Sequence, residues 1–208
     1  AMQNFSENGA KMLDLNKIKD ARINFDLIGT QINRITRIIK SLRAFARKEK
    51  ETIEVIDLQE VIKETLSLSK SRIDFEKVNI EWHPEDKEIM VMGGHVRLQQ
   101  VVINLLTNAI DSMQNKKNKK IFIKILESGS DVIMSVRDTG DGLIDPERVF
   151  EPFYSTKEVG ASKGMGLGLS ISYGIVGSFG GEMSCSNHKS GGAEFSIKLR
   201  VANGKMLS

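Results

Sequence analysis

Apolar and small residues recur near the start of the chain at Ala21, Phe25, Ile28, Ile32, Ile35, Ile39, Leu42 and Ala46. Alternating steps of four and three make an unbroken heptad seam, the pattern of a helix that packs along one face. Arg34, Arg37, Lys40, Arg43 and Arg47 fall between the seam positions and belong on a solvated face. A second helical stretch, from about Ser6 to Ile18, precedes the seam and offers Met12, Leu15 and Ile18. Two helices with a short join predict an αα-hairpin, which cannot bury both of its faces alone. Pairing with a second copy into a four-helix bundle is the simplest remedy; packing onto the rest of the same chain is the alternative.

After Lys48-Glu49-Lys50-Glu51 the period changes. Val55-Ile56 reads as a short strand, and Asp57-Leu58-Gln59-Glu60 as a capping-box start with Asp at the N-cap. The helix it opens carries Ile62, Leu66, Ser69 and Ile73 on one face. Strand patterns follow at Val78–Trp82 and Ile89–Met92, then a long amphipathic helix from about His95 to Met113. Two strands near Ile121–Leu126 and Val132–Val136 are joined by a tight turn. A loop-rich zone covers Asp138 to Gly168, a helix runs to about Phe179, and strands Gly181–Ser186 and Ala193–Arg200 close the pattern. The reading is α+β: a two-layer α/β sandwich, a mixed sheet with helices on one face, preceded by a helical hairpin. The expected division is 1–52 for the hairpin, 53–203 for the sandwich and 204–208 for a tail.

Composition narrows the function classes. The chain is 40% hydrophobic and 27% charged with three prolines, as in a globular protein. No apolar run approaches the roughly 20 residues of a membrane span. A net charge of +3 gives no reason to expect nucleic acid. The one dense basic run, Gln114 to Lys120, reads as a solvated loop or as a binding patch. A lone Cys185 excludes an internal disulfide and suits a reducing cytoplasm. The chain opens as helix interior without a signal pattern, so it is expected to be a piece of a longer protein.

Four segments carry candidate chemistry. Asn104, Asn108 and Asp111 share one face of the amphipathic helix, beside the apolar Val101, Leu105 and Ala109. Amide and carboxylate oxygens suit a hard cation such as magnesium, although an exposed polar face would look the same. Asp138-Thr-Gly140-Asp-Gly142 directly follows a strand: an ionised Asp can accept from an exocyclic amine, and the glycines let backbone approach a flat ring. It is also an acceptable turn. Phe150-Glu-Pro-Phe153-Tyr154-Ser-Thr-Lys157 places aromatics that anchor a loop and a lysine able to reach phosphates. Gly164-Met165-Gly166-Leu167-Gly168 feeds a helix, whose free N–H groups and dipole favour an anion. It is neither a Walker loop nor a GxGxxG fingerprint.

In this order and spacing, N-x-x-x-N, D-x-G-x-G, F-x-P-F and G-x-G-x-G closely resemble the Asn, first-glycine, Phe and second-glycine boxes of sensor histidine kinases. Gly191-Gly192-Ala193-Glu-Phe195 is similar to that family's last glycine-containing box. The resemblance covers about Val55 to Arg200 and implies the Bergerat (GHKL) ATP-binding fold shared with gyrase B, the MutL repair proteins and heat-shock chaperones. It implies that Asn108 ligates Mg²⁺ and that Asp138 receives the adenine amine. Gly164, Met165, Gly166, Leu167 and Gly168 would form the hinge of a lid over the triphosphate, with Gly140, Gly142 and Lys157 contributing to the ATP site. Asn104 would lie near the phosphates, with a catalytic role in orienting or polarising the acceptor, and Asp111 is placed at the edge of the same site. Arg43-Ala-Phe45-Ala-Arg47-Lys, with Phe-Tyr-Ser-Thr-Lys and Ser-Ile-Ser-Tyr-Gly-Ile-Val, looks most like the dicarboxylate-transport sensor branch.

The resemblance implies transfer of the ATP γ-phosphoryl to a histidine and then to an aspartate of a response regulator. It also implies a homodimer through the hairpin, in the cytoplasmic portion of an inner-membrane sensor that meets the membrane only through other parts of the protein. The pattern departs from the family in one telling place. The three histidines, His83, His95 and His188, all fall outside the N-terminal hairpin, where the phosphoacceptor belongs. The expectation is a chain that binds Mg-ATP without phosphorylating itself. Ala193 also stands where relatives often carry a Thr near the adenine. Two rival readings stay open: another ATPase of the same superfamily, or a dimeric adaptor whose nucleotide site is vestigial.

Overall fold

The computed structural model describes residues 2–46, 53–155 and 166–202, which form two compact units. The first unit is the hairpin, α1 (Met2–Asp14) and α2 (Ile18–Ala46). The first helix therefore starts and ends about four residues earlier than its apolar spacing suggests. Asn16 takes the left-handed conformation (φ 56), which short polar side chains tolerate, and this ends α1. The backbone bonds Asn16 N to Leu13 O (2.9 Å) and Lys17 N to Met12 O (2.8 Å) close its last turn. Leu15 thus lies in the join, and Ile18 opens α2 instead of closing α1. Gly9 is buried against Asn24 and Phe25 of α2, and Ala21 is buried beside it. Phe25, Ile32 and Ile35 on the seam stay about half exposed. Seam positions Ile39, Leu42 and Ala46 lie outside the side chains described.

The second unit is the sandwich. Its elements are β1 (Glu54–Asp57), α3 (Leu58–Phe75), β2 (Asn79–Glu81), β3 (Met90–Gly93), α4 (His95–Ser112), β4 (Lys120–Ser128), β5 (Asp131–Asp138), α5 (Gly168–Ser178), β6 (Glu182–Asn187) and β7 (Ala193–Arg200). A five-stranded sheet runs β2-β4-β5-β7-β6. β2 pairs parallel with β4, and the other neighbours are antiparallel, so the sheet is mixed. β1 and β3 form a separate antiparallel pair, attached to the end of β7 by a bridge between Val91 and Val201.

Alternation explains the layers. On β5 the buried positions are Val132, Met134, Val136 and Asp138; on β7 they are Ala193, Phe195, Ile197 and Leu199. This face receives α4, whose Leu98, Val101, Val102, Leu105, Leu106, Ala109 and Ile110 are buried. α3 and α5 flank α4. Asp57 caps α3 as its spacing predicts: Oδ1 accepts from Gln59 N at 3.0 Å and also from Ile89 N at 3.1 Å, tying the helix start to the chain entering β3. The other face of the sheet is half exposed, and there the Arg137 guanidinium lies 4.0 Å over the Phe122 ring. Among the described residues, no helix is long and apolar enough to cross a membrane.

Candidate functional site

β5 ends in a residue that breaks its own chemistry. Asp138 continues the inward row of Val132, Met134 and Val136, so its carboxylate lies under the helical layer and is only 3% exposed. Oδ1 accepts from Gly140 N at 2.7 Å and from Ala193 N at 3.4 Å, and the Ser112 side chain at the end of α4 stands beside the carboxylate across Gly140. Burial pushes the Asp138 carboxyl above its ordinary value; these three neighbours oppose the shift without cancelling it. A buried acceptor kept in place by backbone donors can receive an N–H from a ligand at little cost in reorganisation.

The loop after Asp138 is built around it. A Cβ at Gly140 would overlap the Ser112 hydroxyl and come within 2.8 Å of Asp138 Oδ1, so this glycine makes room for the Ser112–Asp138 contact. Gly142 has φ 82, in the region that favours glycine, and abuts the Asn187 side chain. Asn187, at the end of β6, accepts from Leu143 N at 2.6 Å and donates to Leu143 O at 2.8 Å. On its other side, Asp141 pairs with Lys116 of the basic run at 2.6 Å. Thr139 Oγ1 takes the N–H of Lys120 at 3.1 Å, fixing the loop to the start of β4.

On α4, Asn104 Nδ2 donates to Ser172 Oγ of α5 at 2.9 Å. Its Oδ1 occupies the space that a Cβ on Gly168 would need, so α5 begins directly against Asn104. No side chain caps that helix start. Asn108 is half-buried, one turn after Asn104 and one turn before Ser112. Asp111 is held by Arg72 of α3 at 2.5 Å, and the same guanidinium reaches Thr107 Oγ1 at 3.3 Å.

The glycine run and the Phe segment meet where they are described. Phe153 N donates to Gly166 O at 3.0 Å, and a Cβ on Gly166 would run into the Tyr154 carbonyl. Leu167 is buried, so its side chain anchors the start of α5. Phe150 packs at 5.2 Å from Tyr173 and edge-on at 6.5 Å from Phe195, anchoring its loop, whereas Phe153 is mostly exposed. Lys157, Gly164 and Met165 lie outside the described residues.

The structure therefore gathers Asp138, Gly140 and Gly142 in one loop system and Asn104, Gly166 and Gly168 at the start of α5, with Asn108 between them on α4. It also adds residues that the sequence reading passed over: Ser112, Asn187, Ser172 and Arg72. Ser112 was within reach, since it extends the Asn104, Asn108 stripe by one further turn. Two of the three histidines serve local structure: His95 Nε2 lies 2.8 Å from Glu64 Oε2, and the His188 ring nitrogens lie 2.8 and 3.0 Å from Arg137 Nη1. Among the described residues there is no cluster of three or more His, Cys, Asp or Glu that could hold a metal ion.

The chain is similar in sequence and fold to known proteins. Over 202 residues the chain is 32% identical to the C4-dicarboxylate transport sensor protein DctB of Pseudomonas aeruginosa, covering 96% of this chain and 33% of that protein. Across such curated relatives the chain spans about a third of their length. The solved catalytic domain of histidine kinase ThkA is 28% identical with a TM-score of 0.63, over 72% of this chain and 95% of that one. ThkA in complex with the response regulator protein TrrA is 25% identical with a TM-score of 0.67, over 85% of this chain and 51% of that one. The family described as histidine kinase-, DNA gyrase B- and HSP90-like ATPase matches residues 93–203, from the end of β3 through β7, and the chain belongs to that family.

Proposed function

We propose that residues 53–203 bind Mg-ATP as the catalytic domain of a two-component sensor histidine kinase, and that residues 1–52 belong to its dimerisation and phosphotransfer hairpin. One observation carries the reading of the site. The polar stripe Asn104, Asn108, Ser112 runs along α4 from the uncapped start of α5 to the buried Asp138 carboxylate. Eight residues of helix span about 12 Å, a length suited to a nucleoside triphosphate lying between a base-accepting end and an anion-accepting end. Asp138 accepts the exocyclic amine of adenine, with Gly140 and Gly142 letting the ring approach. Gly164, Gly166 and Gly168, with the backbone of Met165 and Leu167, offer N–H groups to the phosphates, and Lys157 adds a mobile positive charge.

Asn108 would hold Mg²⁺, and the half-buried amide fits a hard cation that keeps waters and shares phosphate oxygens. The bound ion would supply neutralisation of phosphate charge. Asn104, fixed by Ser172 and pressed against Gly168, lies where it can orient an attacking group near the phosphates. Asp111 stands at the margin of this track with its charge balanced by Arg72.

In the whole protein the γ-phosphoryl goes to a histidine and then to a response-regulator aspartate. The resemblance to kinases such as ThkA, whose complex with TrrA joins a kinase to a response regulator, supports that partner class. The three histidines of this chain all lie in the sandwich, so these 208 residues do not phosphorylate themselves. The half-exposed seam of Phe25, Ile32 and Ile35 is covered by a second copy of the hairpin. The setting is the cytoplasmic side of a membrane sensor, in keeping with the reduced Cys185.

Calorimetric titration of Mg-ATP into the wild type and into Asp138→Ala tests the site. Wild-type binding at micromolar to millimolar affinity, lost in the variant, is expected; equal affinities would discard the adenine assignment. Incubation with γ-labelled ATP should leave no acid-labile phosphate on the chain.

A further inference from the structure

Around Asp138 the donors are of two kinds. Gly140 N and Ala193 N are backbone groups, both directed at Oδ1. Ser112 is different: its half-buried side chain on α4 stands beside the carboxylate, both flanking the space where a Gly140 Cβ would sit. Its hydroxyl donates to the carbonyl of Ala109, its i−3 neighbour, at 2.8 Å. A hydroxyl turns about its own C–O bond, so its proton can leave that carbonyl for an acceptor brought to the site. Space for the hydroxyl exists only because residue 140 has no Cβ. Residue 193, the other side chain next to the carboxylate, is an alanine and has no polar group to offer.

A fixed acceptor beside a rotatable donor is complementary to one nucleobase edge. Adenine presents an amino donor at C6 next to an acceptor at N1. Guanine presents an acceptor at C6 next to a donor at N1, which in the same pose sets its oxygen against the Asp138 carboxylate.

We infer that Ser112 is a specificity-determining residue of the base site, its hydroxyl donating to adenine N1 while Asp138 accepts from the 6-amino group. This rests on the nucleotide reading above and adds a second, side-chain-based contact to it. The hydroxyl leaves Ala109 O by a single bond rotation, without movement of α4. The carboxylate keeps its two backbone donors throughout.

The test is a two-by-two binding cycle by calorimetry, with magnesium present. Wild type and Ser112→Ala are titrated with ATP and with 1-deaza-ATP, which has C–H in place of N1, and Asp138→Asn is titrated with ATP. Removing one such hydrogen bond is expected to cost about fivefold to tenfold in affinity. Ser112→Ala should weaken ATP by that factor and leave the 1-deaza analogue unchanged, because the analogue has already lost the acceptor. If Ser112→Ala weakens both ligands equally, or neither, while Asp138→Asn abolishes ATP binding, the Ser112 assignment is wrong and the nucleotide site stands. If the wild type fails to bind ATP, or Asp138→Asn binds as well as wild type, both readings fall.

Discussion

Asn187 grips Leu143 with both ends of its amide, accepting from the backbone N–H at 2.6 Å and donating to the carbonyl at 2.8 Å. The two residues are 44 positions apart, and the clamp fastens the glycine loop after Asp138 to the end of β6. Gly142 lies against the same side chain. A loop that must accept a flat ring between backbone segments gains from being held before the ligand arrives.

Asn187→Ala removes both bonds and leaves two backbone groups to water. Each is worth about 1 kcal/mol, and part of that loss reaches the nucleotide through a looser loop. ATP affinity should fall about three- to tenfold by calorimetry, with the melting temperature of the sandwich lowered only slightly. Asn187→Asp keeps the acceptor and loses the donor, so it should fall between. An unchanged affinity in both variants would show that the loop holds its shape without the clamp.

Gly140→Ala tests whether the space beside Asp138 matters. The added methyl meets the Ser112 hydroxyl and Cβ and approaches Asp138 Oδ1 to 2.8 Å, so either the helix end or the loop must shift. ATP affinity should drop by more than about tenfold, since overpacking of this kind costs about 1–3 kcal/mol. In a Ser112→Gly background, which removes the Ser112 atoms the methyl meets, the same change should cost less affinity than it does in the wild type. An equal cost in both backgrounds would place the damage in the loop or at Asp138.

The sequence made some of these features readable and hid others for identifiable reasons. Asp138 could be found because it sits at the end of an alternating apolar row and is followed at once by two glycines. Asn104 and Asn108 stood out as amides beside a strong apolar stripe. Asn187 was hidden, because nothing local in a hairpin turn says that its amide reaches a loop far upstream. Ser112 reads from sequence as an ordinary helix-end serine until the sheet brings Asp138 beneath it. Arg72 was hidden in the same way, its partner Asp111 being on another helix. The end of α1 was misplaced because Leu15 and Ile18 continue the apolar spacing, while the break comes from the backbone of Asn16. The parallel pairing of β2 with β4 joins strands separated in the chain by β3 and α4, which no local pattern records.

The Arg72–Asp111 pair lies at the edge of the site, and the Arg72 side chain is 44% exposed. Exposed ion pairs contribute about 0–1 kcal/mol. Asp111→Asn should therefore change ATP affinity by no more than about threefold, and the change should shrink as salt is raised. A loss as large as that of Asp138→Ala would move Asp111 from the margin into direct contact with the ligand or its cation.

The seam of the hairpin predicts association. Ile32 and Ile35 are exposed in a single chain, and a charge in a buried interhelical seam is strongly unfavourable. Sedimentation velocity should show dimers of the wild type that dissociate in Ile32→Asp, with ATP binding by the sandwich retained. A wild type that remains monomeric at about 100 µM would instead require another cover for the seam.

Asp138 also sets a conflict between stability and binding. Burial raises its carboxyl above the ordinary value of 3.8, so the folded chain binds this proton more tightly than the unfolded chain does. The contribution to stability is full below the unfolded value and is lost as pH rises through the higher folded value. Above that folded value the ligand-free protein carries a buried charge that burial disfavours, and a charged acceptor is what serves the ligand. Asp138→Asn should raise the melting temperature on the alkaline side of the raised carboxyl value while sharply weakening ATP, and the stability gain should fade as pH falls through that value. Thermal melts of both proteins across pH 4–8 check the sign. A variant less stable than wild type at neutral pH would mean that the hydrogen bonds from Gly140 and Ala193 outweigh the burial.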